Sequence, residues 1–284
     1  MNLKRIAAIP HLSGQYMIDK SMRHKYIDRM LLAIDIGNTN TVIGVFDGNN
    51  LINHFRIGSN RNLTVDESAF LVLGLLEKLN IKPALIDRLV MASVVPTLTP
   101  IYEAMSKRYL AVEPLVVTCN LKMPIKIGYE DPSTVGADRI ANAVAAFTKY
   151  AGPVIVVDFG TATTFDVIDE NGVYLGGIIA PGPETSGAEL AKKASRLFEV
   201  GVSRPQKIIG TNTADSIRSG LFFGTLGIVD YLVERINSEL GKTASVIGTG
   251  GLASDFIEHS NSIKYYEPTL TLDGLKKIAD IHFG

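Results

Sequence analysis

The sequence predicts an α/β protein made of two copies of one domain, each a sheet flanked by helices, with a cleft between the copies. Residues 32–45, LAIDIGNTNTVIGV, are the first sign of it. An apolar run reaches Asp35, crosses Gly37-Asn38-Thr39-Asn40 and resumes at Val42, the pattern of strand, tight polar turn and strand. Residues 153–175, PVIVVDFGTATTFDVIDENGVYL, repeat that layout, with Asp158 answering Asp35 and Gly160 answering Gly37, 123 positions on. Each unit closes on a second polar turn, Asp47-Gly48-Asn49-Asn50 and Asp169-Glu170-Asn171-Gly172. A turn of this kind suits a polyphosphate. Glycine lets backbone N–H groups approach anionic oxygens, and Asn and Thr add hydrogen bonds. Asp35, at the end of a buried strand, is suited to hold a hydrated metal ion.

The elements follow in order. A third strand is expected near residues 51–57. Thr64-Val65-Asp66-Glu67 has the form of a capping box, opening a helix with the apolar stripe Phe70, Leu73, Leu76 and Leu79, ended by Lys82-Pro83. Residues 89–95 read as a buried strand, 100–109 as a helix and 115–119 as a strand. This order gives one three-layer domain. A loop over 123–136 leads to a helix over 137–150, with Ile140, Ala143, Val144 and Phe147 on one face. Gly152-Pro153 then starts the second copy. After its hairpin come a strand and a flexible turn over 176–182. Ser186-x-x-Glu189 reads as another capping box, for a helix to about residue 198. A loop over 201–210 precedes a long helix over 213–240, with Thr213 as its N-cap. A strand over 244–247, a glycine turn, a short helix to 259, a strand over 263–266 and a helix over 273–282 complete the pattern. The two copies are expected to span 30–150 and 151–284.

With 284 residues the chain can bury two cores of ordinary size. Its 28 basic and 29 acidic residues leave a net charge of −1, so no global field favours nucleic acid or an anionic membrane. The single cysteine, Cys119, excludes an intramolecular disulfide and fits a reducing, cytoplasmic setting. No apolar run approaches the ~18 residues of a membrane span. Residues 1–29 carry six basic residues against two acidic ones and no signal-peptide core; they are expected to form a basic extension outside the fold.

Three further motifs compete for a chemical role. Gly241-Lys242-Thr243 looks like the tail of a P-loop, but it runs from helix to strand, the reverse of what that motif needs, and Ile236 stands where its first Gly belongs. Gly241 fits a helix C-terminus instead. Gly248-Thr249-Gly250-Gly251 follows a strand and opens a helix, which fits equally a nucleotide contact and a plain turn. Gly136-Ala137-Asp138-Arg139 begins a helix. Asp138 there is either a first-turn charge against the helix dipole or a general base, and Arg139 either a surface residue or a fork for an anionic or carbonyl group. The five histidines show no metal-ligand spacing.

Taken together, these residues give a sequence that resembles the type III pantothenate kinases of bacteria, within the acetate kinase, sugar kinase, Hsp70 and actin superfamily. The resemblance rests on Asp35-Ile36-Gly37-Asn38-Thr39-Asn40, Gly136-Ala137-Asp138-Arg139, Asp158-Phe159-Gly160-Thr161-Ala162-Thr163, and Asn212-Thr213 with Ser219-Gly220. It implies two RNase H-like, actin-like ATPase domains and ATP-dependent phosphorylation of pantothenate, the first step of coenzyme A biosynthesis. It implies that Asp35, Ile36, Gly37, Asn38, Thr39, Asn40, Thr41, Val42 and Thr161 bind ATP, with Asp35 on the Mg²⁺ side. Tyr129, Gly136, Ala137, Asp138, Arg139 and Thr213 would hold pantothenate, with Asp138 as the proton acceptor. Asp158 would bind a monovalent cation, potassium or ammonium. A homodimer is implied as well, with the acceptor pocket near its interface. Two other readings stand beside this one: a superfamily kinase for a different small acceptor, and a non-catalytic ATP-binding transcriptional regulator, against which Asp138 argues.

Overall fold

The computed structural model describes residues 30–284; the expected basic extension over 1–29 lies outside the described residues. The first sheet contains β1 (Met30–Ile36), β2 (Asn40–Asp47), β3 (Asn50–Gly58), β4 (Ile86–Ser93) and β5 (Pro114–Val116), in the order β3-β2-β1-β4-β5. The second contains β6 (Lys126–Ile127), β7 (Val154–Phe159), β8 (Ala162–Ile168), β9 (Val173–Pro181), β10 (Ser245–Thr249) and β11 (Tyr265–Tyr266), in the order β11-β10-β7-β8-β9-β6. In each, an antiparallel meander of three strands is extended by strands parallel to the first: β1 pairs antiparallel with β2 and parallel with β4, as β7 does with β8 and β10. Five strands of the second sheet thus repeat the five of the first in order and direction, and β6, paired with β9, has no counterpart among the described residues. The sheets are mixed and flanked by helices.

The helices are α1 (Val65–Lys78), α2 (Thr99–Met105), α3 (Ala137–Tyr150), α4 (Pro183–Lys193), α5 (Thr213–Leu240), α6 (Ala253–Ile257) and α7 (Leu270–Phe283). Both central strands are buried on both faces, so successive residues enter different cores. Leu32 and Ile34 pack with Val72 and Leu76 of α1 and Tyr102 of α2, while Leu31 and Ala33 face α3 and α7. On the second sheet, Ile155, Val157 and Phe159 pack with Phe222 and Val229 of α5 and with Phe256. Val154 and Val156 join Leu31, Ala33, Ile140, Val144, Leu275 and Ile278 in one shared core. α3 and α7 thus fill the space between the sheets. Their contact depends on Gly274, where a Cβ would lie 1.9 Å from the carbonyl oxygen of Ala141.

Local signals were met unevenly. The Thr64 capping box is present in both directions, and Gly241 closes α5 in the left-handed region. Phe70, expected on the apolar stripe of α1, is 80% exposed; the buried face runs through Ala69, Val72 and Leu76. The second capping box is absent. α4 starts earlier, at Pro183 after Gly182, so Ser186 already lies inside it, and it ends at Lys193. Asn212, not Thr213, caps α5, its side chain accepting from the backbone N–H of Asp215 at 2.9 Å. α7 begins at Leu270, and β5 stops before Cys119. By length and composition α5 is apolar enough to cross a membrane, contrary to the expectation for any run in the chain. It behaves as a core helix, with Phe222, Leu226, Val229 and Val233 buried against the second sheet.

Candidate active site

The two polar turns meet. Gly37 and Gly160 each donate a backbone hydrogen bond back across their own turn, to Asn40 and Ala162, both at 3.0 Å. Thr39 Oγ1 and Thr161 Oγ1 lie 2.8 Å apart and hydrogen bond to each other. Between the turns opens a cavity of about 330 Å³. Asp35, Asp138 and Asp158 line it together with Gly37, Asn38, Thr39, Asn40, Val42, Arg139 and Thr161. Ten of the sequence-predicted site residues thus converge on one cleft.

Each carboxylate has its own support. Asp35 is the penultimate residue of β1, and its Oδ1 is buried without a hydrogen-bond partner. Asp138 sits in the first turn of α3, where its Oδ1 accepts from the backbone N–H of Arg139 at 2.7 Å. Gly136 makes room for it, since a Cβ there would fall 2.5 Å from that oxygen. Asp158, near the end of β7, accepts from Nδ2 of Asn142 at 3.1 Å. Asn142 is 1% exposed and in turn accepts from Thr271 Oγ1 of α7 at 2.8 Å, which fixes the orientation of its amide. Gly250, with φ +98°, packs against Asp158, where a Cβ would meet the carboxylate at 2.4 Å.

Crowding these acids changes their chemistry. Burial, then repulsion from Asp138 and Asp158, pushes Asp35 well above the usual carboxylate range, with Arg56 opposing. Asp158 is pushed up to about 7 by burial and by Asp138 and Asp166. Burial also raises Asp138, while the backbone N–H of Arg139 holds it back. A raised carboxylate in a cleft is what a general base, or an acid awaiting a cation, requires.

Arg139 is held from below. Its Nε donates to Asp166 Oδ1 at 2.7 Å, and Tyr174 Oη donates to the same oxygen at 2.8 Å. Asp166 is fully buried and its carboxyl is pushed up to about 6 by that burial, against the opposing pull of Arg139. Nη2 of Arg139 is buried without a partner, leaving half of its fork unused. Tyr129 lies outside the cleft lining, its ring 6.3 Å from that of Tyr174 and so one ring removed from Arg139. Gly136 and Ala137 form the base of α3 rather than the lining. The side chains of Ile36 and Thr41 are fully buried, Thr41 bonded to Ser59 Oγ at 2.9 Å, so only their backbones are placed to serve a ligand. Thr213 is exposed at the start of α5 and does not line this cleft. Of the remaining motifs, Lys242 forms an ion pair with Glu170, away from the cleft, whereas Thr249, Gly250 and Gly251 line it.

Sequence reasoning missed Arg56, Asn142, Asp166 and Tyr174. Asn142 left a faint signal, an amide on an otherwise apolar helix face four residues after Asp138. Arg56 left none, because it comes to the cleft through strand pairing.

The family model for type III pantothenate kinase matches residues 31–235. A type III pantothenate kinase of Dehalococcoides mccartyi is 46% identical over 248 residues, covering 87% of this chain and 96% of the relative. One from Desulforapulum autotrophicum is 47% identical over 253 residues, covering 88% and 97%. Among solved structures, a protein assigned to the Baf family of transcriptional activators from Campylobacter jejuni superposes with a TM-score of 0.54 at 22% identity, covering 88% of this chain and 98% of that one. The ethanolamine utilization protein EutJ from Carboxydothermus hydrogenoformans superposes with a TM-score of 0.51 at 16% identity, over 88% and 89%. These two speak to the fold alone; family membership rests on the sequence matches across most of the chain. The chain belongs to the type III pantothenate kinase family.

Proposed function

We propose that the chain transfers the γ-phosphoryl group of ATP to the primary hydroxyl of pantothenate, giving 4′-phosphopantothenate in the first step of coenzyme A biosynthesis. The observation that carries this reading is the joining of the two turns through Thr39 and Thr161 above Asp35, Asp138 and Asp158. In the transfer, a bond forms between the pantothenate oxygen and the γ-phosphorus, and the bond from that phosphorus to the β–γ bridging oxygen breaks. The hydroxyl proton passes to Asp138, and ADP leaves. Phosphoryl transfer asks for positioning and charge stabilisation more than covalent chemistry.

Asp35 to Val42 and Thr161 take the phosphates, chiefly through backbone N–H groups and the Asn and Thr side chains. The unused half of the Arg139 fork suits the carbonyl or carboxylate of pantothenate. The donors present fit two cations. The orphaned Oδ1 of Asp35 suits the water shell of the Mg²⁺ that accompanies ATP, and Asp158, with no second acid beside it in sequence, suits potassium or ammonium. Both would supply positive charge against the triphosphate. Thr213 lies off the cleft of its own chain, so a role for it at the acceptor site requires the second copy of a cytoplasmic homodimer.

A coupled ATP-turnover assay, with and without pantothenate, tests the reaction; ADP formation indifferent to pantothenate would refute it. Light scattering tests the dimer. The cation assignment is tested by rates in potassium, ammonium and sodium at constant ionic strength. Turnover should rise in potassium for the wild type and lose that response in Asp158→Ala, and equal rates in sodium would remove the assignment.

A further inference from the structure

We infer that Arg56 is a phosphate-binding residue of the cleft, a guanidinium that reaches from the first sheet to the second and closes over the nucleotide's terminal phosphates. The inference rests on the nucleotide half of the function proposed above and on three observations.

The first is position. Arg56 lies on β3, the edge strand of the first sheet, paired with Val42 of the phosphate turn's second strand. It lines the cleft, and its guanidinium approaches the glycine turn of the other sheet: a Cβ on Gly251 would lie 3.1 Å from Nη1 and 3.7 Å from Cζ. The side chain therefore spans from one sheet to the other, beside the turn that follows β10. Gly251, whose role the sequence left open, leaves the gap in which the guanidinium sits.

The second is charge. Three carboxylates line the cleft, and among the described residues the only lysine or arginine side chains that do so are Arg56 and Arg139. Arg139 is committed to Asp166 at 2.7 Å, whereas Arg56 forms no hydrogen bond or ion pair with a described residue. A polyphosphate entering beside Asp35, Asp138 and Asp158 meets strong repulsion. Of the two cations, Arg56 is the one whose fork is wholly free to receive it. The third observation is reach. The Arg56 charge acts on Asp35 and on Asp158, one in each half, and favours the ionised form of both. It lies within electrostatic range of the whole carboxylate cluster. A planar fork can grip two phosphate oxygens at once and is aimed where charge develops on the transferring group.

The experiment uses the full chain as Arg56→Gln and Arg56→Lys, with ADP titrated calorimetrically and steady-state rates measured against ATP and pantothenate separately. Removing a preorganised donor from a developing anion costs roughly 10²–10³-fold in kcat. Arg56→Gln is expected to lose about that much, to bind ADP more weakly and to keep its KM for pantothenate. Arg56→Lys keeps the charge but not the fork and should recover part of the rate. Arg56→Lys is expected to keep the melting temperature, while Arg56→Gln, which removes a charge that favours the ionised forms of Asp35 and Asp158, is expected to remain folded with a modest drop at neutral pH. Free guanidinium added to Arg56→Ala should restore part of the activity, which a merely structural residue would not allow. Rates and ADP affinity within a factor of about three of wild type would overturn the inference. So would a rise confined to the KM for pantothenate, which would assign Arg56 to the acceptor. If the wild type did not phosphorylate pantothenate at all, the ADP titration would still decide the role of Arg56.

Discussion

The role of base proposed for Asp138 depends on how narrowly its neighbours hold it. The first turn of a helix stabilises a carboxylate, and the Arg139 N–H fixes one oxygen at 2.7 Å, yet burial keeps its proton affinity above that of an ordinary acid. Asp138→Asn keeps the shape and removes the base, so kcat should fall by ~10²–10⁴-fold with little change in melting temperature. A folded variant that retained a rate close to wild type would show that the proton leaves by another route. Gly136 offers an independent check. Gly136→Ala would drive a methyl to 2.5 Å from Asp138 Oδ1, and the carboxylate, being the freer of the two, must turn away. The expected result is loss of kcat with ADP binding intact, measured by the same rate assay and titration; equal loss of both would mean that the start of α3 itself has been disturbed. At this scale the sequence spoke clearly about Asp35, Asp138 and Asp158, since each sits in a short motif whose chemistry is local. It was silent about Asp166 and Tyr174, which matter only because β8 and β9 bring them beneath Arg139.

The elements that carry the site are joined by α3 and α7. α3 supplies Asp138, Arg139 and Asn142, and α7 supplies Thr271, which holds the Asn142 amide and through it Asp158. The helices pack so closely at Gly274 that a methyl there would stand 1.9 Å from the Ala141 carbonyl oxygen, a contact only backbone movement can relieve. Gly274→Ala is therefore expected to destabilise the chain by about 1–3 kcal/mol, the usual range for overpacking. At ~2–4 °C per kcal/mol for a chain of this class, a thermal melt would register a drop of several degrees. Turnover should fall with it because Thr271 moves with α7; an unchanged melting temperature would mean that the helices can slide apart freely. The helices themselves were readable from their apolar spacing, and the hairpins from their turns. Where α7 goes was not. Nothing in its sequence says that it packs on β1 and β4 as well as on α3, more than a hundred residues earlier. For the same reason Phe70 was misjudged: periodicity marks an apolar stripe, but α2 and the sheet decide which part of it they cover.

At the scale of the molecule, the cleft concentrates like charge that the ligand-free fold cannot compensate. Asp35, Asp138, Asp158 and Asp166 all have pKa values raised by burial, Asp158 to about 7 and Asp166 to about 6. An unfolded chain would ionise each near ~4. The folded state thus binds more protons than the unfolded one between roughly pH 4 and 7, and stability falls as pH rises through that window. The exposed carboxylates whose values are lowered, Asp131 and Asp215 among them, act in the opposite sense but only toward more acid pH, where they would begin to protonate. In the ligand-free protein, the melting temperature should therefore decline between about pH 5.5 and 7.5, an interval in which many proteins are near their most stable. Asp158→Asn keeps the hydrogen-bond geometry toward Asn142 within reach and removes an acid pushed up to about 7, so it should flatten the upper part of that decline. Saturating Mg²⁺ and ADP should do the same by a different route, since positive charge brought into the cleft lowers the cost of ionising its acids and a ligand that binds only the folded chain stabilises it. Differential scanning calorimetry of wild type and Asp158→Asn, each with and without Mg²⁺ and ADP, separates these contributions. A wild-type melting temperature that stayed level or rose across the window would mean that the carboxylates are already compensated, and the cleft would then have no electrostatic reason to close on cations and nucleotide together.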